Sequence, residues 1–579
     1  MTLLDDRPTP EPQPEPPAEQ RTQQAAAPSE PVHRPTLETW LDTTDHKRLG
    51  LLFVYAALVF VIGGGVVGLI IGAKQVSPGL NLAADRWVRL YGLHTQMTVL
   101  LFLTAMWIGL ATYVVPLQIG AGRLAVPRLL ATGFWTYLVG GCCFVASYIV
   151  GQVNGAGITQ PTPIAPIPGG ANTATTLWVV SLALIALGFL LASASLVTTI
   201  VALRTEGMTF MRVPAFSWAT LVASAITLVA TPVFLAGLLL LGLDQHFGGS
   251  LFDPKTPGNL PIWQHTIWLY GRPDVFLLTL FALGAATDIV STHARRPLLD
   301  HRAVLVLLGV FGGLSLATFV ANDSATRAVI VPTYSFFTAA VAAPLGLIVL
   351  LWLGTVAKGQ PRFNISLVYV VGAILLWVSG AANAIGAAAK QVKGLNGGST
   401  WVAGNVHTVV AGVPTLLAVG AIYHWAPKIW GRKLNTGLGG LAFLALFGGF
   451  LASGLGYYFL GYNGAPLGQI SGFSSYQKTL YGVAEAGGVL VVLGIVVLLI
   501  DLGISVVAGR CAKAGDDPYE GLTLEWATSS PPPPWGFETV PEVRSEAPLL
   551  HLRPERRTGG ADSPDTLSNQ PALAGADRG

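Results

Sequence analysis

The chain has 579 residues, of which 52% are hydrophobic and 11% charged, with a formal net charge of +3. One soluble core cannot absorb so much continuous apolar sequence, and a β-barrel would show alternation instead, so a helical bundle in lipid is the remaining class. The net charge is small and the basic residues sit beside apolar stretches, which gives nucleic-acid binding no support.

Residues 1–43 open the chain. They are rich in Pro, Gln, Glu and Ala as far as residue 35 and predict a disordered tail, because such a composition buries too little apolar surface to order itself. No basic flank leads into a short apolar stretch there, so no cleaved signal peptide is expected and the first span serves as insertion signal. Between 44 and 510, apolar runs of about 20 residues follow one another, the length that crosses a hydrocarbon core as a helix. They cover 49–73, 91–116, 129–152, 173–203, 214–243, 261–290, 302–321, 331–357, 363–387, 401–426, 438–461 and 479–507. The fold class is therefore an all-α integral membrane bundle of about twelve transmembrane helices. Residues 511–579 contain Pro531–Pro534 and scattered charges and predict a second, largely disordered tail.

The N-terminus and the loops after even-numbered spans hold about 16 Lys/Arg, against about 8 in the other loops. The rich side includes Lys47, Arg48, Arg128, Arg204, Lys428 and Arg432. The positive-inside bias then puts both termini in the cytoplasm, with the bundle in the inner membrane. Cys142, Cys143 and Cys511 form neither a C-x-x-C-H motif nor a zinc-spaced cluster, and no internal repeat is evident.

Most of the ten histidines lie in loops or tails, which leaves His94, His265, His407 and His424 in spans. His94 falls about one turn into the second span and His407 about two turns into the tenth. Both spans run inward from the outer face, so both histidines sit at a similar shallow depth. Two neutral imidazoles facing each other at one depth can ligate a six-coordinate haem iron. The plainer alternative is that each is a lone polar residue bonded to a backbone carbonyl. His265 follows Trp263 and Gln264 and reads as an interfacial hydrogen-bonding residue. His424 lies about 25 Å from His407 at the standard helical rise, so it cannot share the same iron. Gly63 to Gly65 read as close helix packing.

Several longer motifs recur in a fixed order. They are Thr44-Asp-His-Lys-Arg-Leu-Gly50, Val115-Pro-Leu-Gln-Ile-Gly-Ala121, Val126-Pro-Arg-Leu129 with Phe134-Trp135, and Gly207 to Trp218. Trp263-Gln-His265 with Trp268, Gly271, Pro273 and Val275, then Ile289-Val-Ser-Thr292 and Arg296-Pro297, complete the set. From about Asp45 to about Val507 the chain resembles subunit I of the haem–copper oxidases, closest to the branch that includes the cytochrome c oxidases.

The resemblance implies roles for particular residues. The two ligands of the low-spin haem fall on His94, within Gly92 to Gln96, and on His407, within Asn405-Val-His407. The proximal ligand of the oxygen-binding haem falls on Asn405. One copper ligand falls on Arg272, the cross-linked tyrosine on Phe276, and the paired copper-ligand histidines on Asn322 and Asp323. Arginine stays protonated and offers copper no lone pair, asparagine is a poor axial ligand, and phenylalanine supplies neither proton nor electron. The nitric oxide reductases of the family need the same histidines, so that chemistry is disfavoured too. Among proton-route positions, one acidic residue falls on Arg123, a lysine on Ile348, and only the helix 6 carboxylate persists, as Asp274. The arginine pair beside the haem propionates falls on Leu467 and Gly468, and the helix 1 arginine near Gly63.

The implied protein is cytochrome c oxidase subunit I-like. It carries one low-spin haem of unassigned type, without copper or a high-spin haem, for electron transfer or redox sensing. A subunit II-like protein or a c-type cytochrome would supply electrons. Two other readings stay open: a haem-free structural or assembly paralogue of the respiratory oxidase, and a conventional oxygen-reducing subunit. Whether the chain is an enzyme is open accordingly. In the former copper site, Arg272 is expected to pair with Asp323 or Asp274, with Asn322 and Asn405 capping the remaining donors. Alternatively the seventh helix ends before Asp323, which then lies in solvent.

Overall fold

Lipid leaves a backbone no hydrogen-bond partner but itself, so each apolar run closes its own ladder as a helix. The computed structural model describes residues 37–77, 79–151, 153, 172–247, 251–252, 259–317, 327–388 and 399–550. Of these, 259–265, 267–276, 327–335, 337–339 and 381–388 are described by their backbone alone. The chain divides into Met1–Thr43, whose described part holds the short helix Leu37–Leu41, and the remainder from Thr44.

Twelve long helices run through the described part of the second unit. They are α1 (His46–Val76), α2 (Ala84–Gln118), α3 (Pro127–Val150), α4 (Thr173–Ala202), α5 (Ala215–Phe247) and α6 (Asn259–Ala294). Then come α7 (His301–Ala317), α8 (Arg327–Ala357), α9 (Ile365–Ala388), α10 (Trp401–Trp430), α11 (Thr436–Tyr462) and α12 (Ser475–Val507). They fall on the apolar runs read from the sequence. Ten contain a stretch long and apolar enough to cross a membrane, while His301–Ala317 and Ile365–Gly380 are shorter apolar helices.

Polar side chains fix several starts. Asp45 accepts from Lys47 N at α1, Asn172 from Thr175 N at α4, and Asn435 from Gly437 N and Leu438 N at α11. Ser474 and Gln477 form a reciprocal capping box at α12. Glycines let paired helices approach to backbone contact: a Cβ on Gly133 would stand 2.8 Å from the Gly188 carbonyl, and one on Gly449 2.7 Å from that of Gly487. The most apolar stretch of α2 is 89% buried and that of α10 83%, against 28% for α12. α2 and α10 are therefore central, as is the wholly buried Leu277–Ala294 stretch of α6, and all three are less apolar than the lipid-facing α12.

The C-terminal segment corrects an expectation. A largely disordered tail was expected from residue 511, yet 511–550 lie against the bundle. Leu524 and Glu525 are wholly buried and Trp526, Phe537, Val543 and Leu549 nearly so. Lys428, at the end of α10, donates to the carbonyls of Asp516, Thr528 and Ser529 at 3.1, 2.6 and 3.2 Å. Lys47 donates to the Pro534 carbonyl at 2.8 Å, and Arg295 pairs with Glu520. The Val543 and Trp535 carbonyls rest on Gly207 and Gly122, where a Cβ would meet them at 2.2 and 2.7 Å. The segment thus straps the α2–α3 loop, the α4–α5 loop and the end of α10 together. Pro-rich composition concealed it, because its anchors are single apolar residues and backbone carbonyls rather than a periodic apolar face. Residues 551–579 lie outside the described residues.

Candidate cofactor site

α2 and α10 are distant in sequence but pack against each other, and each widens into a π-helical turn at the contact. These turns are Met97–Thr104, which begins three residues after His94, and Val406–Gly412, which contains His407. Two causes are visible. Pro414 follows the second turn, and a proline lacks an N–H and clashes with the carbonyl four residues back. In α2, hydroxyls serve carbonyls beside the distortion, with Thr98 donating to His94 O at 2.8 Å and Thr104 to Val99 O at 2.9 Å. π-turns within α-helices concentrate at functional sites.

Both histidines are held in the same way. His94 Nδ1 is 2.8 Å from the Gly64 carbonyl on α1, and His407 Nδ1 is 2.8 Å from the Ala403 carbonyl on its own helix. A carbonyl only accepts, so each Nδ1 must carry the proton. Each Nε2 then keeps its lone pair, the tautomer that metal-bound histidines adopt. Neither Nε2 is among the buried, unpaired polar atoms of the described bundle. The helices arrange this through small residues: Gly68 lies under the His94 ring, where a Cβ would come within 2.8 Å of Cε1. On the other side, the Tyr457 ring of α11 packs on His407 with centroids 5.0 Å apart. This donor set fits the axial ligation of one haem. A haem held there would be largely lost in Gly68→Leu, while Gly440→Leu, where nothing lies within 4 Å of a new Cβ, would leave it intact. Pyridine haemochrome analysis of the two purified variants checks this.

Other singled-out positions separate from this pair. Asn405 Oδ1 faces α9, 3.9 Å from a Cβ built on Gly380. Arg123 is exposed in the α2–α3 loop and Ile348 is fully buried in α8. Gly468 takes a left-handed backbone (φ +88) beside Trp87, a conformation that an arginine would adopt only with strain. Gly63 lies against Met97 Cε of α2, as close helix packing requires. The side chains of His265, Arg272, Asp274 and Phe276, and the whole of Asn322 and Asp323, lie outside the described residues. The expected pairing of Arg272 with a carboxylate therefore falls there too.

A second polar cluster lies at the other end of the bundle, beneath the strap. His424 is fully buried, and its Nδ1 is 3.2 Å from His293 Nε2 on α6. Gln118 Nε2 donates to Asp288 Oδ2 at 2.8 Å and to Glu525 Oε1 at 3.1 Å, while Ser217 donates to its Oε1 at 2.7 Å. Asp288 also accepts from Ala215 N and Phe216 N at 3.2 Å, at the N-terminus of α5. Burial pushes the Glu525 carboxyl above its usual range. Sequence reading missed His293, because it stands at the junction of a span and a loop and only its contact with His424 marks it. Among the described residues, no group of three or more His, Cys, Asp or Glu could hold a metal ion.

The profile of the family described as cytochrome c and quinol oxidase polypeptide I matches residues 48–496. The chain belongs to this family. The oxidase polypeptide I proteins similar to it include the putative cytochrome c oxidase subunit 1-beta of Streptomyces avermitilis, 32% identical over 92% of this chain and 95% of that one. Another is the cytochrome c oxidase subunit 1 of Corynebacterium glutamicum, 31% identical over 93% of this chain and 94% of its own. Among solved structures, a haem–copper terminal oxidase dimer matches with a TM-score of 0.66 at 15% identity, covering 81% of this chain and 85% of the other, which bears on the fold. The resemblance read from the motifs therefore holds. This oxidase polypeptide I is a multi-pass membrane protein of an oxidase family that uses haem.

Proposed function

We propose that the chain holds one low-spin haem between His94 and His407 and passes single electrons without reducing oxygen. The observation that carries this is the donor arrangement. Two imidazoles, His94 three residues before one π-turn and His407 within the π-turn packed against it, both commit Nδ1 to a carbonyl and both keep an Nε2 lone pair. A haem held there by His94 and His407 would supply one-electron chemistry, and with both imidazoles engaged it would not offer oxygen a binding position. The second half of the reading rests on residue types: Arg272, Asn322, Asp323 and Asn405 stand where copper and a second haem would need imidazoles. These residues do not fit a copper centre, and Phe276 has no hydroxyl. The chain's own work is then to fix the two rings, to exclude water with the packed α1, α2 and α10, and to present an entry side to a donor.

The bias of basic residues supports an inner-membrane placement with both termini cytoplasmic and the His94 end outward. A subunit II-like protein or a c-type cytochrome would then deliver electrons at that end. The names of the relatives favour the competing reading, a conventional oxygen-reducing subunit. A haem-free structural role is the third. An optical spectrum of the purified protein decides among them. Sharp reduced α-bands that carbon monoxide leaves unchanged are expected, together with no cyanide-sensitive oxygen consumption in a complex whose only subunit I is this chain. A spectrum shifted by carbon monoxide would sustain the conventional oxidase, and the absence of a Soret band would sustain the haem-free role.

A further inference from the structure

α1 carries a row of residues toward the histidine pair. Gly64, Gly68 and Gly72 recur at a spacing of four, with Gln75 continuing the row, so they share one helix face. Gly64 receives His94 Nδ1, and Gly68 lies under the His94 ring. At Gly72 the neighbour is a carboxylate from α12. A Cβ built there would stand 1.5 Å from Glu485 Oε2 and 2.5 Å from its Cδ. Any side chain at position 72 would expel the carboxylate. One four-residue step along a helix is about 6 Å, which places the Glu485 carboxylate about one turn beyond the His94 ring on the same face of α1.

Tyr457 ties His407 to the same place. Its ring packs on the imidazole, its hydroxyl donates to Gln75 Oε1 at 3.3 Å, and Glu485 lies within its electrostatic range, as do Tyr481 and Tyr91. Among the described residues, no ion pair or hydrogen bond is made to Glu485, which is half-buried. The other titratable or charged groups facing this region are Lys74 on α1, whose Nζ donates to the Leu80 carbonyl, Tyr91 on α2, Tyr481 and the exposed Lys478 on α12, and the two histidines. An ionisable residue in an apolar span is costly and is retained where function uses it.

We propose that Glu485 is the proton-binding partner of the His94–His407 site, taking up one proton when that site gains one electron. The proposal rests on the haem reading above. The electron comes from a one-electron carrier, a c-type cytochrome or, in vitro, a reduced mediator. The proton comes from the aqueous phase at the His94 end and bonds to a carboxylate oxygen of Glu485. Reoxidation returns both, so the charge of the buried region is the same before and after. The oxidised site carries the extra positive charge that steadies a nearby carboxylate, and the reduced site does not.

The test is a redox titration of the α-band of the full-length purified protein, run from about pH 5.5 to about pH 8.5. The wild-type midpoint should fall with rising pH over part of that range, by up to about 59 mV per unit for one proton per electron. Glu485→Gln should give a higher midpoint that does not move with pH, Glu485→Asp should restore a pH-dependent one, and Gly72→Ala, which displaces the carboxylate, should flatten it. A wild-type midpoint that ignores pH, a Gln variant that keeps the slope, or a Gln variant that loses its haem would each overturn the proposal. Only the absence of an α-band in the wild type would instead overturn the haem reading itself.

Discussion

His94→Ala and His407→Ala should each abolish the low-spin spectrum. On the haem proposal each imidazole would supply one of two axial bonds, and alanine would offer iron no donor in its place. The protein around each ring cannot substitute, because the Gly64 and Ala403 carbonyls bonded to Nδ1 belong to fixed helical backbone. His246→Ala, at an exposed histidine whose Nε2 meets Thr176, should leave the spectrum as it was. Reduced-minus-oxidised spectra of the three purified variants make the comparison. Unchanged α-bands in both ligand variants would rule the site out.

Loss of Lys428 should release the strap. Lys428 is fully buried, and its ammonium satisfies three carbonyls of residues 516–529. In Lys428→Met those carbonyls keep their burial and lose their donor, at about 1–3 kcal/mol for each group left unsatisfied. Limited proteolysis should then cut within 511–550, where the wild type resists. Docking should also depend on pH through Glu525. Burial raises its carboxyl, so the docked state binds the proton more tightly than the released one. Its contribution is whole below the usual carboxylate range and is lost as pH rises through the raised value. Protease protection should therefore weaken with rising pH, and Glu525→Gln should remove that dependence. Protection unaltered in Lys428→Met would show that the apolar anchors hold the strap alone.

The parts of this molecule that the sequence disclosed are those governed by short-range rules. Lipid forces each apolar run into a helix, so the segments from His46 to Val507 could be placed by length alone. His94 and His407 stood out because imidazoles are few in apolar spans and because Gly92 to Gln96 and Asn405 to His407 carry family motifs. The orientation of both Nδ1 atoms was not legible, since it depends on a carbonyl thirty residues away on α1 and on a π-turn. Glu485 was hidden for the same reason: one acid in a long apolar run gains meaning only from Gly72, which comes from the far end of the chain. The strap was misread because composition averages over Leu524, Trp526 and Phe537, whose burial is decided one residue at a time. His293 needed its partner across the bundle before it could be told from a loop residue.

The central claim is that this chain keeps the electron-carrying half of the family's chemistry and lacks the residues for the oxygen-reducing half. Its most direct test is pyridine haemochrome quantification of the purified protein alongside elemental copper analysis. One haem per chain with no copper is the predicted result. Two haems per chain with stoichiometric copper would contradict it, because the second haem and the metal would then have found ligands among Asn405, Arg272, Asn322 and Asp323, or elsewhere.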